Sequence, residues 1–160
     1  MAICRVALFC HRGRFERALV KEIKVKMRSQ IENLSSSGAV DGEPELTECV
    51  AAGFMKTNGE SYEISFTERD RETFVVTEIT VMPSCVCVKK TGDIVSDMRF
   101  EEGIMHKSLY KVPPYLFDAE IYTKKIRNNL NKNGGDISVF YTMRLGGADK
   151  AVKLKIECSV

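Results

Sequence analysis

At 160 residues, 44% of them hydrophobic, the chain is long enough for one well-buried core and short for two domains. The formal net charge of +2 hides a segregation: residues 1–31 carry eight Lys/Arg against two acids, 32–82 three against eleven, and 83–160 thirteen against nine. Without residues 1–19 the remainder is slightly acidic, which argues against a nucleic-acid partner, and no apolar run reaches the length of a membrane span.

The opening residues, MAICRVALFCHRGRFERA, show no clear period. They read as an amino-terminal extension over 1–19, either a true extension that packs somewhere or, as favoured, a disordered segment or the product of a start codon chosen upstream of one near Val20 or Met27, followed by a single domain over 20–160. Where a signal peptide would show small residues and a cleavage site the chain has HRGRFER, so export is not expected. Six cysteines in a chain that needs no staples read as reduced thiols, which places the protein in the cytoplasm. Cys85 and Cys87 are too close to close a useful loop and read as buried thiols; Cys4, Cys10 and His11 form a loose set on which no metal site is placed.

The next stretch, ERALVKEIKVKMRSQIENL, supports two readings. Leu19, Ile23, Met27, Ile31 and Leu34 sit at helical spacing, whereas Ile23, Val25, Met27, Ser29 and Ile31 alternate with Glu22, Lys24, Lys26 and Arg28. The strand is favoured, because a lone long helix among strands has little to pack on. Residues 33–45, NLSSSGAVDGEPE, then read as a polar loop. Beyond it the apolar residues alternate: Tyr62, Ile64 and Phe66; Val75, Thr77, Ile79 and Val81; Ile137, Val139, Tyr141, Met143 and Leu145; Val152, Leu154, Ile156 and Cys158. Each set lies on one side of a pleated strand. Turn signals such as TNGE, KTGD, KNGGD and GGAD separate the runs, as between consecutive antiparallel strands.

About nine or ten strands in one short domain leave backbone groups unpaired at two edges unless the sheet closes. The expected fold is all-β: a single closed or nearly closed antiparallel meander β-barrel of about 8–10 strands, a size whose interior is filled by side chains or holds one small ligand. If the first and last strands pair, Lys24, Lys26 and Arg28 join Lys153 and Lys155 in an external basic stripe. A solvated face paired with Glu45 and Glu48 is the favoured reading, since no aromatic interleaves with these charges as a single-strand nucleic-acid groove requires.

The second half carries a resemblance. Met98-Arg99-Phe100 with Glu102-Gly103, Tyr110 followed by Pro113-Pro114-Tyr115, Thr123-Lys124-Lys125-Ile126, Gly134-Gly135, Tyr141-Thr142-Met143 and Leu145-Gly146-Gly147 make the chain similar to the YwiB-like family of uncharacterised bacterial proteins. Agreement runs loosely from about Glu22 to Glu157. The resemblance implies a calycin-type, lipocalin-like β-barrel and supplies no catalytic residues. Val112-Pro113-Pro114-Tyr115-Leu116 departs from the family's Thr-Pro-Tyr-Gly type of bend, which implies a different turn there.

The candidate ligand-binding residues are Arg99, His106, Tyr110, Tyr115, Tyr62, Tyr141, Lys124 and Glu120. The tyrosines are inward-capable and their hydroxyls could orient a ligand. Arg99 is either an outward charge or an arginine paired inside the barrel, and only the second binds an anion. His106 is more simply a satisfied structural histidine than a base or ligand, because one imidazole supplies no triad or metal site. No GxGxxG, P-loop, GxSxG or HExxH occurs, so an enzyme is disfavoured and no cofactor is implied. The leading expectation is a barrel that binds a small apolar molecule inside. The alternative is a filled barrel acting as an interaction module; a homodimer is compatible with either, and no membrane partner is expected.

Overall fold

The computed structural model describes the backbone of residues 4–11 and 14–160, and side chains from Leu19 onward. Eleven strands account for nearly all of it: β1 (Cys4–His11), β2 (Arg14–Leu34), β3 (Val40–Asn58), β4 (Ser61–Arg69), β5 (Phe74–Val81), β6 (Val86–Gly92), β7 (Val95–Phe100), β8 (Met105–Val112), β9 (Tyr115–Asn128), β10 (Gly134–Leu145) and β11 (Ala148–Ser159). The strands from β3 to β11 pair with their sequence neighbours, and β2 pairs with both β11 and β3. Ten antiparallel strands, β2 to β11, therefore close into a barrel, as the turn spacing and the edge argument predict.

β1 stands outside that ring. It pairs with residues 14–21 of β2, along the edge that β11 takes from Lys24 onward. The boundary drawn after residue 19 falls inside β2. The side chains of Cys4, Cys10 and His11 lie outside the described residues.

The alternation of apolar residues becomes the inward face of the wall. Phe100, Met55, Ile64, Ile79, Ile121, Ile137 and Ile156 are all less than 2% exposed, so one end and the waist of the barrel are filled with interlocking side chains. The segment with two readings is strand, with Ile23 and Val25 buried in the core and Met27 and Ile31 packed against it. The polar loop proposed for 33–45 is shorter than expected: Val40 already begins β3, and Leu34↔Val40 and Asn33↔Asp41 are paired. Gly42 and Pro44 do not break the strand because they lie at a register shift and along an edge that faces no other strand among the described residues, where a missing N–H costs little.

Two seams are thin. β3 pairs with β4 only from Gly53↔Phe66 to Asn58↔Ser61, so residues 40–52 pair with β2 alone among the described residues. β7 and β8 share only Val95↔Lys111 and Ser96↔Tyr110, with Ser108 Oγ donating to the Asp97 carbonyl oxygen at 2.6 Å beside them. Glycine is needed where the β9–β10 turn folds back: Gly135 has φ +117°, and a Cβ there would collide with the Asn129 carbonyl. The β8–β9 turn is the two-residue Pro113-Pro114, joined by a cis peptide bond.

Candidate functional site

At the barrel end opposite the packed one, the inward face turns polar. The pleat that buries Val86 and Val88 also turns Lys90 inward; the one that buries Ile64 and Phe66 turns Glu68 inward. Register then sets Thr77, Lys90, Ser96 and Tyr110 side by side on four neighbouring strands, through the pairs Thr77↔Lys90, Lys90↔Ser96 and Ser96↔Tyr110. Directly opposed residues in a sheet approach to about 5 Å, so this is one continuous polar row.

Glu68 closes the row diagonally. Its carboxylate lies 3.9 Å from Lys90 Nζ and 3.5 Å from Thr77 Oγ1, the outer limit of a hydrogen bond. The Lys90 and Glu68 side chains are 17% and 28% exposed, so both are partly enclosed. Across the thin β3–β4 seam sits Cys49. Burial, and then its hydrogen bond to the Glu68 carboxylate, push its thiol up to about 12, so at neutral pH it is a protonated thiol and not a nucleophile. Burial, with Glu68 nearby, also raises Tyr110. Tyr141 is raised further, chiefly by burial, and its ring centroid lies 4.7 Å from that of Phe100. Both phenols are neutral donors at physiological pH.

Ser96 Oγ and Thr123 Oγ1 are buried and have no hydrogen-bond partner among the described residues. Ser96 is paired with Tyr110 and Thr123 with Tyr141, so both orphaned hydroxyls stand in the wall beside the two tyrosines. A bulge opposite Phe140 and Tyr141, which leaves Lys124 as the extra residue of β9, keeps Thr123 inward while Lys124 and Lys125 are exposed.

Of the residues singled out from the sequence, Tyr110 and Tyr141 meet here; the others are elsewhere. Tyr62 packs against the core at the closed end. Tyr115 is not inward: it is 63% exposed at the rim and stacks on Phe117 with centroids 6.2 Å apart. Arg99 is the outward charge of the two readings, its Nε donating to Glu101 Oε1 at 2.6 Å, and His106 Nε2 reaches the same oxygen at 3.2 Å. Glu120 faces outward opposite Arg144, in a groove of about 520 Å³ under the β2–β3 turn, and Lys124 is exposed on the outer wall. Cys85 is buried, whereas Cys87 is only partly so, its thiol raised first by burial and then by Cys85. Among the described residues no His, Cys, Asp and Glu cluster forms a metal site. Glu68, Lys90 and Cys49 were missed by the sequence reading. The available signal was parity, since each continues the inward alternation one step past its last apolar residue.

The family follows from comparison. Residues 30–157, which run from β2 to β11, match the model of a domain of unknown function, DUF1934. The chain is similar to the uncharacterized beta-barrel protein YwiB of Bacillus subtilis (strain 168), 27% identical over 106 residues, or 66% of this chain and 75% of the relative. The crystal structure of the ywiB protein from Bacillus subtilis shares the fold at a TM-score of 0.72 and 24% identity, covering 88% of this chain and 94% of that one. With the closed barrel in place and four-fifths of its length matched, the chain belongs to the DUF1934 family of uncharacterised proteins, as the YwiB-like resemblance implies.

Proposed function

We propose that this protein binds a small, mostly apolar ligand in the mouth of its barrel, held there through one polar group. The observation that carries the reading is the pair of orphaned hydroxyls, Ser96 Oγ and Thr123 Oγ1, buried beside Tyr110 and Tyr141. A buried hydroxyl without a partner costs about 1–3 kcal/mol, and a ligand's polar group would remove that cost. Lys90 supplies a cation at the same level, tied to Glu68 only by a loose 3.9 Å contact. The packed waist limits what enters to a small body or one end of a longer one. The ten-strand cup supports the calycin-type comparison, and free Cys49, Cys85, Cys87 and Cys158 support a cytoplasmic setting.

A second reading, a filled barrel that serves as an interaction module, is favoured by the edge of β3 over 40–52, which faces no other strand among the described residues and exposes Val40, Leu46 and Val50. Native mass spectrometry of protein from its own host separates the two. The ligand reading predicts an adduct that leaves on denaturation and is lost in the Ser96→Ala/Thr123→Val double variant. A bare wild-type mass, with that double variant only gaining stability, would transfer the assignment to the interaction module.

A further inference from the structure

We propose a second site, on the outside of the wall across β9, β10, β11 and β2, that takes a single-stranded nucleic acid. Register sets Lys125, Phe140, Lys153 and Gln30 in one row, and Arg127, Ser138, Lys155 and Arg28 in the next. Strands about 4.8 Å apart put Lys125 and Lys153 roughly 10 Å from each other with Phe140 between them. The Arg127 guanidinium carbon lies 5.7 Å and Lys153 Nζ 5.4 Å from the centre of the Phe140 ring.

Two of the acids on this face are already engaged with cations, and a third, Glu32, takes a 3.3 Å hydrogen bond from Gln30. Glu48 holds Arg28 at 2.8 Å and Lys26 at 3.6 Å, and Glu157 holds Lys155 at 3.1 Å. Lys125, Arg127 and Lys153 have no carboxylate partner among the described residues, so their charge is available to an anion. A groove of about 270 Å³ lined by Lys124, Phe140, Lys153 and, at one side, Glu32, and one of about 550 Å³ lined by Arg28, Leu46, Lys155 and the engaged Glu48, share Gln30 and Lys153. They form one track running across the strands from β9 to β3.

A linear polyanion laid in that track places its phosphates on the cations. The aromatic ring and the guanidinium plane at its centre offer bases a stacking platform, which an acidic peptide would leave unused. Read along the chain, no aromatic interleaves with the stripe, because Phe140 alternates with inward residues on a strand of its own and meets the cations only through pairing. This face is separate from the mouth, so the site stands whether or not the mouth holds a ligand.

The test is fluorescence anisotropy of a labelled oligothymidylate with the full chain, between about 50 and 200 mM salt. The site predicts binding that weakens with salt at a log–log slope of about −2 to −3, three to four phosphates at roughly −0.7 each. Arg127→Gln/Lys153→Gln should reduce that slope by about 1.4. Phe140→Leu should lower affinity about 5- to 100-fold at unchanged slope. The exposed double variant keeps the test alive if the Phe140 variant loses its β-sheet circular dichroism. The proposal is overturned by three results: no salt-dependent binding by the wild type; loss on replacing Arg5, Arg12, Arg14 and Arg17 by Gln while the face variant still binds; or polyglutamate competing as well as unlabelled oligonucleotide.

Discussion

The packed end and the mouth of this barrel are built from the same strands, yet opposite logics govern them. At the packed end, Ile64, Ile79, Val86 and Phe100 are 1% exposed or less and nothing polar interrupts them. Four residues away along β4, β6 and β7, the same inward parity carries Glu68, Lys90 and Ser96. Every inward position at the packed end lowers the free energy of the fold. The polar end instead keeps a loose ion pair and the buried Ser96 hydroxyl, which has no hydrogen-bond partner among the described residues, arrangements that cost stability. The two ends therefore contribute unequally to the stability of one barrel.

The comparison is broken most severely by Phe100→Ala. The ring is fully buried and tilted against Tyr141 at 4.7 Å, so its removal should cost about 3–5 kcal/mol of unfolding free energy, read from urea denaturation. A cost below about 1 kcal/mol would mean that the packed end relaxes around the hole and is not the scaffold.

The packed end was also the legible end. Period-two alternation of Val, Ile, Tyr and Phe marks the inward sets on β4, β5, β10 and β11 in the sequence itself, and turn residues at short intervals imply a meander that must close. The mouth was hard to read for the same reason. A charged residue in a strand sequence looks outward, and only counting parity beyond the apolar run turns Lys90 inward behind Val88 and Glu68 behind Phe66. Arg99, His106, Tyr110 and Tyr115 are candidates by residue type alone. Composition does not say that Arg99 and Tyr115 face solvent, because that depends on the β7–β8 and β8–β9 turns.

Lys90→Met sharpens the comparison at intermediate cost. It strands the Glu68 carboxylate in a partly enclosed site, and a loss of about 1–2 kcal/mol is expected, below that of a fully buried pair because both groups keep some water. Replacing both, as Glu68→Leu/Lys90→Met, should restore most of the loss, since two apolar side chains leave no charge behind. A double variant as unstable as the single one would assign the loss to the packing of the lysine stem, and the mouth would then obey the same rule as the packed end.

The smallest effect is expected where the two ends are alike. Each rim carries an exposed arginine–carboxylate clasp: Arg99 to Glu101 at 2.6 Å at the packed end, and Arg144 to Asp149 at 2.8 and 3.1 Å at the mouth. The arginine hydrogen bond is the main cause that holds each carboxyl below its ordinary range. A carboxylate whose folded pKa is lowered contributes stability above its unfolded pKa, and that contribution is lost as pH falls through the folded value. Arg99→Gln should therefore move the Glu101 titration, followed by carboxyl carbon chemical shift, back up toward the ordinary range, with part of the lowering retained because His106 still reaches the same oxygen. Arg144→Gln should release Asp149 more completely, since no second cation is among the causes acting on it. Melting near neutral pH should scarcely change in either variant, because exposed pairs are well screened. If one rim variant alone lowered the melting temperature substantially, its clasp would be holding a thin seam shut, and the division between scaffold and mouth would have to be redrawn at that rim.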